Sequence, residues 1–220
     1  MGTIGAAVSD IGTRKDRNQD AYGLRIASNG VCEAAFAVVC DGVGGMEHGE
    51  VASSTAVDAM LRWFDSVLPS MFTENLSARM LYRMWDSVLQ EVNLRLFRQA
   101  EVCGSRMGTT LAAVLLLNGR CCAVSAGDTR IYGVNGAGTV QISRDHTLVQ
   151  REVEQGRISV EQARRDARKN VLVRCVGGAP RLRPEYYTRP IEPDSGYLLC
   201  TDGFYRRLTE RELRIAPGPG

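Results

Sequence analysis

The sequence predicts an α+β fold built on antiparallel sheets, and three observations carry that prediction. Strand-like runs come first, then helix-like stretches, then strands again, without the strand–helix alternation of a parallel sheet. Asn118-Gly119, set between apolar runs, is the strongest short hairpin signal in the chain. Finally, 44% hydrophobic and 24% charged residues over 220 positions are ordinary globular composition, ample for one domain with a sizeable core.

Asp20 to Ala27 and Ala34 to Cys40 read as strands parted by the turn-like Ser28-Asn29-Gly30. The second is almost wholly apolar, as in a strand covered on both faces. Glu50 to Phe64 reads as a helix with Val57, Met60, Leu61 and Phe64 on one side. In the next helix Leu76, Met80, Met84, Val88, Val92 and Leu96 recur at every fourth position with charges between them. Thr109–Leu117, Cys121–Ala126 and Arg130–Val134 are strand signals punctuated by Asn118-Gly119 and Gly127-Asp128. Thr147 to Gln155 is a short helix closed by Gly156, and Ser159 with Gln162 forms a capping box that opens another. Tyr197–Cys200 reads as a last buried strand, and Thr209–Leu213 as the start of a helix. No internal repeat is visible.

Several function classes are excluded early. A net charge of +2 gives no whole-protein case for nucleic-acid binding. Acidic residues predominate from 31 to 101 and basic ones from 144 to 189; the basic segment suits phosphorylated substrates or a solvated helix face. The seven cysteines are odd in number, form no CxxC pair and sit mostly in apolar runs, as free thiols of a reducing compartment do. His48 and His146, the only histidines, have no zinc-ligand spacing to a cysteine pair. The first residues carry no secretion signal, and no apolar run approaches a membrane span. A cytoplasmic protein without a membrane partner is expected.

Four aspartates end strand-like runs beside small or turn residues: Asp20 in RNQDAYG, Asp41 in VVCDGVGG, Asp128 in SAGDTR and Asp202 in LLCTDGF. An Asp-Gly pair alone is a common turn. Asp41 and Asp202, however, each close a strongly apolar strand and precede glycine, which holds a carboxylate at the rim of a core. Brought together, two such ends make a site for hard divalent cations; taken singly, each reads equally well as a turn cap. A cation pair supplies what phosphate-ester hydrolysis needs: it lowers the pKa of a bound water from about 15.7 toward about 7 and neutralises phosphoryl oxygens.

In order, the chain carries RNQDAYG, VVCDGVGGMEHGEVAS, MGTTLAAVLL, AVSAGDTRIYGV, SRDHTLVQREVEQGRIS and YLLCTDGF. This set resembles the metal-dependent protein serine/threonine phosphatases of type 2C (PPM) in their bacterial form, over nearly the whole chain. The resemblance implies a four-layer α-β-β-α sandwich: two antiparallel sheets packed face to face and flanked by helices, with the metal site at one end. It implies a single catalytic domain over residues 1–220 with a mobile flap at about 144–168. The implied reaction is hydrolysis of phosphoserine and phosphothreonine in proteins by a metal-bridging hydroxide. Asp41 would bridge two Mn²⁺ or Mg²⁺ ions with the carbonyl of Gly42 on the second, and Asp202 would bind the first. Asp128 would join Asp202 in holding a possible third ion, and Asp20 would act through metal-bound water. The implied partners are phosphorylated proteins and a cognate Ser/Thr kinase, and the implied state is a monomer.

The chain departs from the family pattern in three places. Strict spacing puts Lys15, with Arg14 adjacent, where the family has its phosphate-binding arginine; a lysine neutralises charge but lacks the guanidinium fork. Met46 stands where bacterial members have a histidine, leaving His48 as the candidate general acid. The family's later Asp-Asn pair does not occur after Asp202, so a C-terminally short domain with weaker metal binding and lower activity is expected. Two rivals follow. One is a phosphatase-like binding module with little turnover, which Met46, Lys15 and the missing carboxylate favour. The other is a cysteine-dependent phosphatase, since Cys175 and Arg181 satisfy C-x5-R. Chance alone supplies about one such match in a chain this rich in cysteine and arginine, and Arg174 and Leu182 flank it instead of His and Ser or Thr.

Overall fold

The computed structural model describes residues 2–13, 16–30, 32–43, 48–71, 76–208 and 212. Strands β1 (Asp20–Ser28) and β2 (Glu33–Asp41) come first, followed by helices α1 (Gly49–Ser66) and α2 (Ala78–Cys103). Strands β3 (Leu111–Leu117), β4 (Arg120–Ala126), β5 (Arg130–Asn135) and β6 (Gly138–Gln141) then run in succession. Two short helices, α3 (Leu148–Glu154) and α4 (Val160–Arg165), precede β7 (Glu185–Pro190), β8 (Gly196–Cys200) and the single-turn helix α5 (Asp202–Tyr205). Among the described residues no helix is long and apolar enough to cross a membrane.

The strands form two antiparallel sheets, one ordered β1-β2-β3-β4-β7 and the other β6-β5-β8. Side-chain alternation explains the layering. Leu111, Ala113, Leu115 and Leu117 of β3 face α1 and α2, together with Phe36, Val38 and Cys40 of β2 and Val124 of β4. The intervening Ala112 and Val114, with Cys121 and Ala123 of β4, face Ile131 and the half-buried Leu199 of the smaller sheet. Covered on both sides, β3 and β4 read as unbroken apolar runs for that reason. Tyr132 and Cys200 point outward from the smaller sheet and pack with Tyr205 of α5. The order is helices, sheet, sheet and helix, the sandwich that the motifs implied.

The expected turn chemistry is present. Asn118 and Gly119 take φ of 51° and 70°, the two positive values of a type I′ hairpin turn. Gly156 closes α3 at φ 68°, and the Ser159–Gln162 capping box opens α4. Two expectations need correction. The fully buried face of α2 includes Leu81, Trp85, Leu89, Val92 and Leu96; of the every-fourth row from Leu76, Val92 and Leu96 lie on it, Leu76, Met84 and Val88 pack against the core half-buried, and Met80 is 48% exposed. Only Cys200 of the last strand is buried, because β8 is an edge strand with a single neighbour. Helix α5 starts at Asp202; the helix expected over Thr209–Leu213 falls outside the described residues, apart from Glu212 in a turn. The sequence reading also missed β6 and β7, short edge strands whose half-exposed pattern, with Pro190 in β7, lacks the apolar run of a central strand.

Candidate active site

The antiparallel register of β1 and β2 places Asp20 directly opposite Asp41 at one rim of the larger sheet. Asp41 is fastened through its backbone: its N–H donates to Thr110 Oγ1 at 2.9 Å, and its carbonyl accepts from the Thr110 N–H and Thr109 Oγ1, each at 2.9 Å. Gly42 donates to the Gln19 carbonyl at 2.9 Å and Val43 to that of Gly108 at 3.0 Å, so the segment is stitched on both sides. A Cβ on Gly42 would lie 2.5 Å from the backbone C and O of Gly49, the first residue of α1. The strand end and the helix start touch there, and only glycine permits it.

Asp128 follows β4, directly after Gly127, whose φ of 109° and contact with Thr110 leave no space for a side chain. The Gly127 N–H donates to His146 Nδ1 at 3.0 Å, which fixes this turn from behind. Asp128 is only 7% exposed. Burial and the negative charge of Asp202 push its carboxyl up to about 6, against the pull of the Arg206 guanidinium. Arg206 Nη2 stands 3.0 Å from Asp128 Oδ2, and Nη1 stands 3.1 Å from Asp202 Oδ2. Thr201 Oγ1 donates to Asp20 Oδ2 at 3.0 Å and thereby ties the smaller sheet's rim to the larger one's. All four aspartates singled out in the sequence thus meet at one end of the sandwich.

His48 is the exposed residue immediately before α1, with φ 61° and no side-chain bond to the helix. It precedes the Gly49 that abuts Gly42; the neighbouring Glu50 carboxyl is held below the usual range by its own backbone N–H and then by Arg17. Arg14, Lys15 and Met46 lie outside the described residues. Burial pushes the Cys175 thiol up to about 11, against the thiolate that a cysteine-dependent phosphatase needs. The cysteine-dependent reading loses its thiolate.

Arg206, Thr201, Thr109 and Thr110 are site residues that sequence reasoning missed. Arg206 had one usable signal, its position four residues after Asp202, but a single-turn helix leaves no periodicity to read. The threonines act through backbone and side-chain bonds that only the assembled rim creates.

Among the described residues, no three His, Cys, Asp or Glu side chains converge as a ready cage for a metal ion. The carboxylates approach in pairs, Asp20 with Asp41 and Asp128 with Asp202, and a guanidinium already stands as the cation between the second pair. An all-oxygen, acidic donor set bridged by a cation fits a hard divalent ion.

An antiparallel sandwich with carboxylates gathered at one rim suits metal-dependent phosphoester hydrolysis. Residues 12–217 match the model of the family described as protein phosphatase 2C. The chain belongs to the protein phosphatase 2C family, and its class is that of the metal-dependent serine/threonine protein phosphatases. It is 31% identical over 179 residues to the serine/threonine phosphatase stp of Listeria monocytogenes, spanning 80% of this chain and 69% of that one. Its fold matches the crystal structure of the serine/threonine phosphatase Stp1 from Staphylococcus aureus with a TM-score of 0.82 at 25% identity, covering 96% and 82% of the two chains. The catalytic domain of the serine threonine protein phosphatase PstP, solved in complex with 2 manganese ions, matches with a TM-score of 0.72 at 28% identity, covering 94% and 80%.

Proposed function

We propose that the chain hydrolyses phosphoserine and phosphothreonine in proteins at the rim formed by Asp20, Asp41, Asp128 and Asp202. One observation carries the reading: the Thr201–Asp20 bond and the Asp20–Asp41 register bring carboxylates from both sheets to one end of the sandwich. Asp41, the Gly42 carbonyl and Asp202 would hold two Mn²⁺ or Mg²⁺ ions, and Asp128 with Asp202 a third. When bound, such ions acidify water and neutralise charge on the phosphoryl oxygens.

The remaining work belongs to the chain's own groups. Thr109 and Thr110 hold the backbone of Asp41, so its carboxylate needs little reorganisation as charge develops. Asp20, oriented by Thr201, orients water. Arg14 and Lys15 neutralise the incoming phosphate. His48 gives a proton to the departing Ser or Thr oxygen, whose alkoxide is otherwise a poor leaving group. Residues 144–168 act as a flap over the cleft. Phosphoproteins are the substrates, with a cognate Ser/Thr kinase supplying them, and the protein works as a cytoplasmic monomer.

The binding-module reading is disfavoured because all four rim carboxylates are kept and mutually placed. Hydrolysis of para-nitrophenyl phosphate with Mn²⁺ tests the assignment. Asp41→Asn should lower kcat by at least about 100-fold while leaving the thermal midpoint close to that of the parent. A metal-dependent rate unchanged in Asp41→Asn, or no such rate in the parent, overturns it.

A further inference from the structure

Arg206 bridges the two carboxylates that the proposed function assigns to metal. Its Nη2 lies 3.0 Å from Asp128 Oδ2 and its Nη1 lies 3.1 Å from Asp202 Oδ2. The same Nη1 donates to Asn170 Oδ1. Chain geometry sets this position. The one-turn helix α5 puts Arg206 four residues beyond Asp202, and its N–H closes the turn on the Asp202 carbonyl at 3.1 Å. The ring of Tyr205, next to it, is clamped by Arg130, whose Cζ sits 3.7 Å from the ring centroid. Arg130 is itself held by Asp145 at 2.7 Å. With its side chain only 26% exposed, Arg206 is a placed cation and not a surface arm.

A carboxylate oxygen that accepts from a guanidinium does not offer the same lone pair to a metal ion. A guanidinium and a divalent cation also repel at such range, more strongly where water is thinned by burial. A metal ion that takes Oδ2 of Asp128 and Oδ2 of Asp202 must therefore displace Arg206, and one held by the other oxygens is still opposed by its charge. Asn170 stands at the close of the excursion that carries α3 and α4. That excursion is pinned to the body by the Leu148 N–H to the Val171 carbonyl and the Val173 N–H to the His146 carbonyl, each at 2.8 Å. Arg206 thus touches the metal carboxylates and the base of the excursion at once.

We propose that Arg206 is an internal counter-cation that competes with a divalent metal ion for Asp128 and Asp202, and that its release frees Asn170 at the base of the α3–α4 segment. This rests on the reading of the rim as a metal site. Direct Mn²⁺ binding, followed by electron paramagnetic resonance on the metal-stripped chain without substrate, tests it. Arg206→Ala should bind Mn²⁺ at the Asp128-dependent site about tenfold more tightly than the parent, the scale of losing one charge-assisted bond. Arg206→Lys, which keeps the charge but not the fork, should fall between the two. Asp128→Asn identifies the site by abolishing that binding class. Hydrogen exchange supplies the second readout: Mn²⁺ should speed exchange at the amides of Lys169 and Val171 in the parent, and Arg206→Ala should show that faster exchange without metal. If Mn²⁺ binds at the Asp128-dependent site equally or more weakly in Arg206→Ala, the competition is overturned. If the parent and both Arg206 variants bind no Mn²⁺ at all, the metal reading itself fails. Should Arg206→Ala not fold, Arg206→Lys carries the comparison, and an affinity equal to the parent's overturns the proposal.

Discussion

His48 occupies the left-handed region at φ 61°, where a side chain costs about 1 kcal/mol relative to glycine. That conformation sets His48 beside the Gly42–Gly49 contact, where backbone strain coincides with its proposed role as acid. His48→Gly should stabilise the fold by up to about 1 kcal/mol in urea titrations. The same change should lower kcat on a phosphoserine peptide by about 100-fold while barely altering para-nitrophenyl phosphate, whose leaving group needs no proton. Equal losses on both substrates would remove His48 from the role of acid. At this scale much was legible beforehand. Asp20, Asp41, Asp128 and Asp202 announced themselves as acids standing at the ends of strand-like runs. Arg206 did not, because an arginine near the end of a chain rich in arginine carries no pattern until α5 turns it back onto Asp202.

Helix α2 shows where periodicity misleads. A strict every-fourth row advances about 40° around the helix at each step, so it leaves a given face within a few turns. The face that packs on β3 follows the mixed spacing of Leu81, Trp85, Leu89, Val92 and Leu96, around an aromatic group in which Trp63 and Trp85 meet edge-on at 5.6 Å. Leu81, at 2% exposed, should cost about 2–5 kcal/mol when changed to Ala, whereas Met80→Ala should stay within about 0.5 kcal/mol. Chemical denaturation of the two variants checks the assignment, and equal losses would restore the every-fourth row. The central strands were readable because burial on both faces makes their whole length apolar. The edge strands β6 and β7 were not, since half-exposed residues obey no such constraint.

Across the whole molecule, one ionic network joins the larger sheet to the segment leading into α3. Glu185 at the start of β7 accepts from Arg144 and, at 2.9 Å, from Arg174, while the Tyr187 hydroxyl donates to it at 3.0 Å and His146 Nε2 lies 3.3 Å away. Burial pushes the Glu185 carboxyl up, but the Arg144 bond, His146 and Tyr187 outweigh it and hold it down to about 2, below the usual 4.5. A carboxyl depressed in the folded state stabilises above its unfolded pKa, and that contribution fades as pH falls from 4.5 toward 2. Glu185→Gln should therefore cost roughly 1 kcal/mol at pH 7 and progressively less at pH 4 and pH 3, as read by urea unfolding. A constant penalty across that range would place the loss in packing instead. The central strands, the Asn118-Gly119 turn, the Ser159–Gln162 cap and the four rim carboxylates were written in local pattern, because propensity, alternation and capping act over a few neighbouring residues. The pairing of Asp20 with Asp41, the Thr201 bond between the sheets, the seat of Gly49 on Gly42 and the turn of Arg206 onto Asp128 and Asp202 came only with the assembled sandwich. Each joins residues distant in sequence, or lost to any repeating pattern, whose approach is set by sheet register and packing.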